Sequence, residues 1–157
     1  MRTFLYYLTE VVLILLILLT VGHAFYQSSL PPAESTAQSS KVGEIIEEII
    51  PPDTPPGEYI QKNLRKLAHF TEFFFLGLWS TLLVGIYIRC RWAISALVPF
   101  GLIVALLDET VQIFSKRGPS VTDVWIDMLG YSVALAITVF VLAIVYFVKF
   151  ILDSRYI

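Results

Sequence analysis

Charge is scarce in this chain: only 15% of its 157 residues are Asp, Glu, Lys or Arg, against about 25% in soluble domains. Excess positive charge is also missing. The formal net charge is −2, so there is no basic footprint for nucleic acid and no nucleic-acid partner is expected. Cysteine occurs once, as Cys90, which excludes an internal disulfide. It sits beside Arg89 and Arg91 in a short connection, where an incidental role is expected. There are no internal repeats and no nucleotide-binding glycine loops. Neither Ser115 nor Ser120 sits in the elbow or triad pattern that an activated serine needs.

What the chain does have is apolar length. Hydrophobic residues make up 57% of it, and the mean hydropathy is +0.75. A membrane helix takes about 20 mostly apolar residues, and stretches 4–22, 67–88, 92–114 and 124–150 meet that need. The expected fold is all-α, an integral membrane four-helix bundle with an extracellular loop after the first helix. Residues 1–24 form the first transmembrane helix, 25–65 the outer loop, 66–150 a three-helix core and 151–157 a tail.

The first segment has a rival reading as a signal peptide, from the positive start at Arg2 and the small residues at Gly22-His23-Ala24. Its length and Glu10 favour an uncleaved anchor. The outer loop opens with Ser, Pro, Ala and Gln, which favour irregular chain. Near 42–50, Ile45, Ile46, Ile49 and Ile50 recur at helical spacing between Glu44, Glu47 and Glu48, which predicts a short amphipathic helix. The Pro51-Pro52 and Pro55-Pro56 pairs end it. Loop charge orients the chain only weakly. Once the cations around the acidic cluster are assigned to a site, both termini and the Arg89–Arg91 connection are expected on the cytoplasmic side.

Small residues recur four apart: Gly77, Thr81 and Gly85, then Gly101 and Ala105, then Gly130, Ala134 and Thr138. That spacing lets membrane helices approach closely. Close approach is what allows polar groups on different helices to meet.

The polar groups are placed by topology. The second helix starts, the third ends and the fourth starts at one membrane face. Lys66, His69 and Glu72 therefore share a depth with Asp108, Glu109 and Gln112, and with Asp123 and Asp127. At about 1.5 Å per residue, Glu72 lies about 8–9 Å inward from Lys66. Ionisable groups at such depth usually face the bundle interior and mark a site. Arg65, His69 and Glu72 share one helix face by their spacing, as do Asp108 with Gln112 and Asp123 with Asp127. Asp123 also suits the start of the fourth helix, where Ser120 and Thr122 offer caps. His23 ends the first helix on the same side and reads as incidental.

Three chemistries fit such a group. Crowded carboxylates beside an imidazole can share protons and serve as general acid or base. Arg65, Lys66 and Arg117, with Lys62 and Lys116, can clamp a phosphate or carboxylate. A divalent metal on His69, Glu72, Asp108, Glu109 and Asp123 has little behind it, with a single histidine and no cysteine. No metal and no cofactor is therefore expected.

At these residues the chain resembles the VanZ-like family of bacterial membrane proteins. The matching stretches are Lys66-Leu-Ala-His69-Phe-Thr-Glu72 through Gly77, Asp108-Glu109-Thr-Val-Gln112-Ile-Phe114, and Arg117-Gly-Pro-Ser120-Val-Thr-Asp123, continuing to Gly130. The family pattern usually has Asn where this chain has Asp127. The resemblance implies a bacterial plasma membrane protein tied to teicoplanin resistance. It carries over Lys66, His69, Glu72, Asp108, Glu109, Gln112, Arg117 and Asp123 as a shared polar site. The expected function is an outer-leaflet site that lowers glycopeptide and lipoglycopeptide susceptibility. It would do so by engaging a lipid-linked cell-wall precursor, another membrane lipid, or the antibiotic's lipid tail. The interior of that site is His69, Glu72, Asp108, Glu109 and Asp123. Lys66, Gln112, Arg117, Arg65 and Asp127 contact the ligand. The alternative is a membrane-embedded hydrolase or transferase acting on a lipid phosphate.

Overall fold

The computed structural model describes residues 2–88 and 91–154; Arg89, Cys90 and Arg155 lie outside the described residues. Every element among them is helical: α1 (Arg2–Ser29), α2 (Pro32–Ile49), α3 (Pro55–Leu83) continued by a π turn (Val84–Ile88), α4 (Arg91–Phe114) and α5 (Val121–Ser154). Four of the five, all but α2, are long and apolar enough to cross a membrane. Their outward side chains are large and apolar, as at Leu18, Leu19, Phe140 and Phe147, the surface expected of helices solvated by lipid.

The four long helices run alternately up and down. His23 on α1 meets Glu72 on α3, while Tyr6 meets Tyr87, so α1 and α3 are antiparallel. α3 and α5 run parallel and form the most extensive pairing in the bundle. Two glycines allow it. A Cβ on Gly130 would run into the carbonyl of Phe70, and one on Gly77 would sit 2.5 Å from the carbonyl of Tyr131. The non-glycine stripe residues Thr81, Ala105, Ala134 and Thr138 are buried, as small residues at membrane helix crossings are. Beside the crossing lies the apolar core of Phe73, Leu76, Val104, Ala105 and Tyr131.

The helix ends differ from the sequence expectation. α1 continues past residue 24 to Ser29 instead of giving way to loop. The stretch predicted as irregular is the first half of α2, which spans Pro32–Ile49 and so exceeds the predicted 42–50 helix. The reason is local. Pro32 occupies the first turn, where its fixed φ and missing N–H do no harm, and Ala33, Glu34, Ala37, Gln38 and Lys41 are good helix formers. Segment α3 likewise starts at Pro55, with the Thr54 hydroxyl accepting from Gly57 N. It kinks at Asn63 (φ −116°, ψ 15°), whose side chain donates to the Tyr59 carbonyl at 2.9 Å. α2 folds back against the first turns of α3, and Gln61 Nε2 donates to the Gly43 carbonyl at 3.0 Å.

Candidate functional site

Alternation of the helices brings the C-terminal ends of α1 and α4 to the starts of α3 and α5. The turn between α4 and α5 is closed by backbone chemistry. Lys116 adopts a left-handed conformation (φ 58°); Lys116 N donates to the Ile113 carbonyl and Arg117 N to the Gln112 carbonyl. That pair is the helix-ending pattern in which a left-handed residue returns two orphan carbonyls to donors. It folds Arg117 back over the bundle, where Nη1 donates to the Gln27 carbonyl at 2.8 Å. Burial, with Arg65 nearby, holds the Arg117 guanidinium below the usual arginine range. Ser120 then starts α5, its hydroxyl accepting from Asp123 N at 3.4 Å.

Inside this end lies a connected polar network. His69 Nδ1 is 3.1 Å from Asp127 Oδ1 and 4.0 Å from Asp108 Oδ2. Ser28 Oγ donates to Asp108 Oδ2 at 2.7 Å. Gln112 Nε2 donates to Glu109 Oε1 at 3.0 Å and to Asp108 Oδ2 at 3.3 Å. Glu109 Oε2 accepts from Ser120 N at 2.7 Å, which fastens α4 to the start of α5. Arg65 Nη2 donates to Gln112 Oε1 at 2.7 Å and lies 3.9 Å from Asp123 Oδ2. His69, Asp108, Glu109, Gln112 and Asp127 are all buried. Groups of this kind are tolerated in a membrane interior only when they satisfy one another.

Not every expected residue joins the centre. Glu72 is only part-buried and pairs with His23 Nδ1 at 3.1 Å. His23 is therefore no incidental histidine, because α1 runs antiparallel to α3 and reaches Glu72 at this depth. Asp123 is half-buried at the rim, near Arg65. Lys66 is exposed and, among the described residues, forms no ion pair with the acids of the network. Asp127 goes the other way: the sequence put it among the ligand contacts, and it is the most enclosed acid, at 0% exposure.

Ser28 and Ser115 were missed. Ser115 Oγ donates to the Ser28 carbonyl at 2.7 Å, which ties α1 to α4. The signal for Ser28 was available: a first helix extended past residue 24 carries it to the depth of Asp108.

Above the network is a cavity of about 550 Å³ between α2, α3, the end of α1 and the turn that follows α4. Val42, Ile46, Ile50 and Leu64 form its apolar side, and Arg65, His69, Glu72 and Arg117 its polar end. Such a space accepts a molecule with one apolar and one anionic part. His69 lines the cavity with one edge while its Nδ1 is engaged by Asp127, the arrangement that fixes an imidazole's orientation.

A sequence model of the VanZ/LLP1 family matches residues 11–146. No curated protein and no solved structure matches the chain.

Proposed function

The chain belongs to the VanZ/LLP1 family, and from that premise we propose that it is a bacterial plasma membrane protein that engages a lipid-linked molecule from the outer leaflet and thereby lowers susceptibility to teicoplanin-type glycopeptides. The cavity carries this reading. Its isoleucine and valine wall, supplied by α2, suits a lipid chain, and Arg65 and Arg117 at its polar end suit a phosphate or carboxylate head. Lipid-linked cell-wall precursors and the acyl tail of a lipoglycopeptide share that amphiphilic chemistry. In this reading the termini are cytoplasmic, residues 66–150 are the working core and α2 is the outer cover of the site.

The test is expression in a glycopeptide-susceptible Gram-positive host. Wild-type protein should raise the inhibitory concentration of teicoplanin. Glu72→Ala and Arg65→Ala should abolish that rise at unchanged membrane abundance. Full protection by both folded variants would sink the proposal. A second reading, turnover of a lipid pyrophosphate, is favoured by one observation: the His69–Asp127 contact, which orients an imidazole at the cavity as a general base would be oriented. Purified protein incubated with a lipid pyrophosphate separates the two. Release of phosphate that His69→Gln abolishes makes it an enzyme, and binding without product makes it a receptor.

A further inference from the structure

His69, Asp108 and Asp127 come from three different helices, yet each contributes a ligand-type atom to a set lying within 4.8 Å of one another. The hydrogen bonds among them leave oxygens over. Asp108 Oδ1 and Asp127 Oδ2 are buried with no partner, on residues that are 1% and 0% exposed. Each is the second oxygen of a carboxylate whose first oxygen lies within 4.0 Å of His69 Nδ1. Nearby donors are committed elsewhere. Ser28 Oγ and Gln112 Nε2 point at Asp108 Oδ2, and Ser120 N points at Glu109. A buried carboxylate oxygen without a donor is costly, and one proton on Nδ1 cannot serve two carboxylates.

A divalent cation resolves this. Separations of 3.1 and 4.0 Å from His69 Nδ1 to the two carboxylates suit ligands that share one ion at about 2.0–2.2 Å. Two carboxylates and a neutral imidazole around a doubly charged ion also sum to zero, the balance a low-dielectric interior favours. We propose that His69, Asp108 and Asp127 bind one divalent transition-metal ion that ties α3, α4 and α5 together at their shared end. Imidazole with carboxylate oxygen and no thiolate suits zinc or manganese. Ser28 and Gln112 act as positioning residues that orient Asp108. Ser28 and His69 also line the cavity, which gives the ion its way in. The site rests on its own geometry and holds whether or not the cavity takes a lipid.

Full-length protein in detergent, stripped with chelator, is titrated calorimetrically with Zn²⁺, Mn²⁺ and Co²⁺. One ion per chain is expected, with a higher melting temperature on binding. Asp108→Asn and Asp127→Asn should each weaken binding at least about tenfold, and Ser28→Ala about tenfold. His23→Ala, which leaves all three ligands, should bind as wild type. If the Asn variants do not fold, pulsed EPR of wild type loaded with Mn²⁺ or Co²⁺ decides, and coupling to one imidazole nitrogen is expected. Failure of wild type to bind any of the three ions overturns the proposal. So does unchanged affinity in both Asn variants, loss of binding in His23→Ala, or an EPR spectrum without nitrogen coupling.

Discussion

Gln112 shows how a single residue holds this end of the bundle together. It is 0% exposed, and both ends of its amide are used. Its oxygen accepts from Arg65 on α3, while its nitrogen serves Glu109 and Asp108 on its own helix. A neutral amide can accept from a guanidinium through its oxygen and donate to two carboxylates through its nitrogen at once. Gln112→Leu keeps the volume and removes every one of these bonds, leaving two buried carboxylates short of a donor. It should destabilise the protein by about 1–3 kcal/mol, read as an earlier thermal transition in detergent. Gln112→Glu keeps an acceptor for Arg65 but sets a third carboxylate against two others, and should be at least as damaging. Wild-type melting of both variants would show that the network contributes nothing to stability. At this scale the sequence revealed depth but not direction. Spacing alone placed Asp108, Glu109, Asp123 and Asp127 in one band, because helix rise is fixed. Which acid turns to the centre depends on how each helix is rotated about its axis. So Glu109 turns to the Ser120 amide and Asp123 to the rim, while Asp127 reaches His69.

Among the elements, the α3–α5 crossing has the least tolerance for change. At Gly130 any side chain meets the Phe70 carbonyl, which cannot move without bending α3. Gly130→Ala should cost about 1–3 kcal/mol as overpacking. It should also loosen the His69–Asp127 contact, since both residues lie within a turn of the crossing. Gly22 on α1 has nothing within 4 Å of a Cβ, so Gly22→Ala should leave the melting temperature unchanged or slightly raised. Equal melting temperatures for the two variants would contradict this account of the packing. The crossing was legible because small residues four apart are a pattern that lipid-solvated helices use. α2 was not. Its first half is polar, and polar composition without apolar period reads as loop. Its helicity comes from Pro32 in the first turn, from good helix formers, and from docking on α3 through Gln61. The last of these is tertiary and has no local sequence signal.

For the molecule as a whole, what matters is which end faces out. The end that carries the site holds six cations: Lys41, Lys62, Arg65, Lys66, Lys116 and Arg117. The other holds five: Arg2, Arg89, Arg91, Lys149 and Arg155. A bare count favours neither direction. Two of the six are held by the site, Arg65 by Gln112 and Arg117 by the Gln27 carbonyl. Cations fixed in a bundle mouth answer to the acids beside them and carry less weight in topology than free loop cations. With those two set aside the count is four against five, in line with the cytoplasmic termini proposed above. Cysteine labelling tests this in a Cys90→Ser background. Asp53→Cys, in the exposed turn between α2 and α3, should react with a membrane-impermeant maleimide in intact cells. Ser154→Cys, exposed at the end of α5, should react only after the membrane is opened. The reverse pattern would put the cavity on the cytoplasmic face, where an extracellular glycopeptide cannot reach it. The resistance reading would then fail, while the bundle, the cavity and the three-helix cation site would stand unchanged.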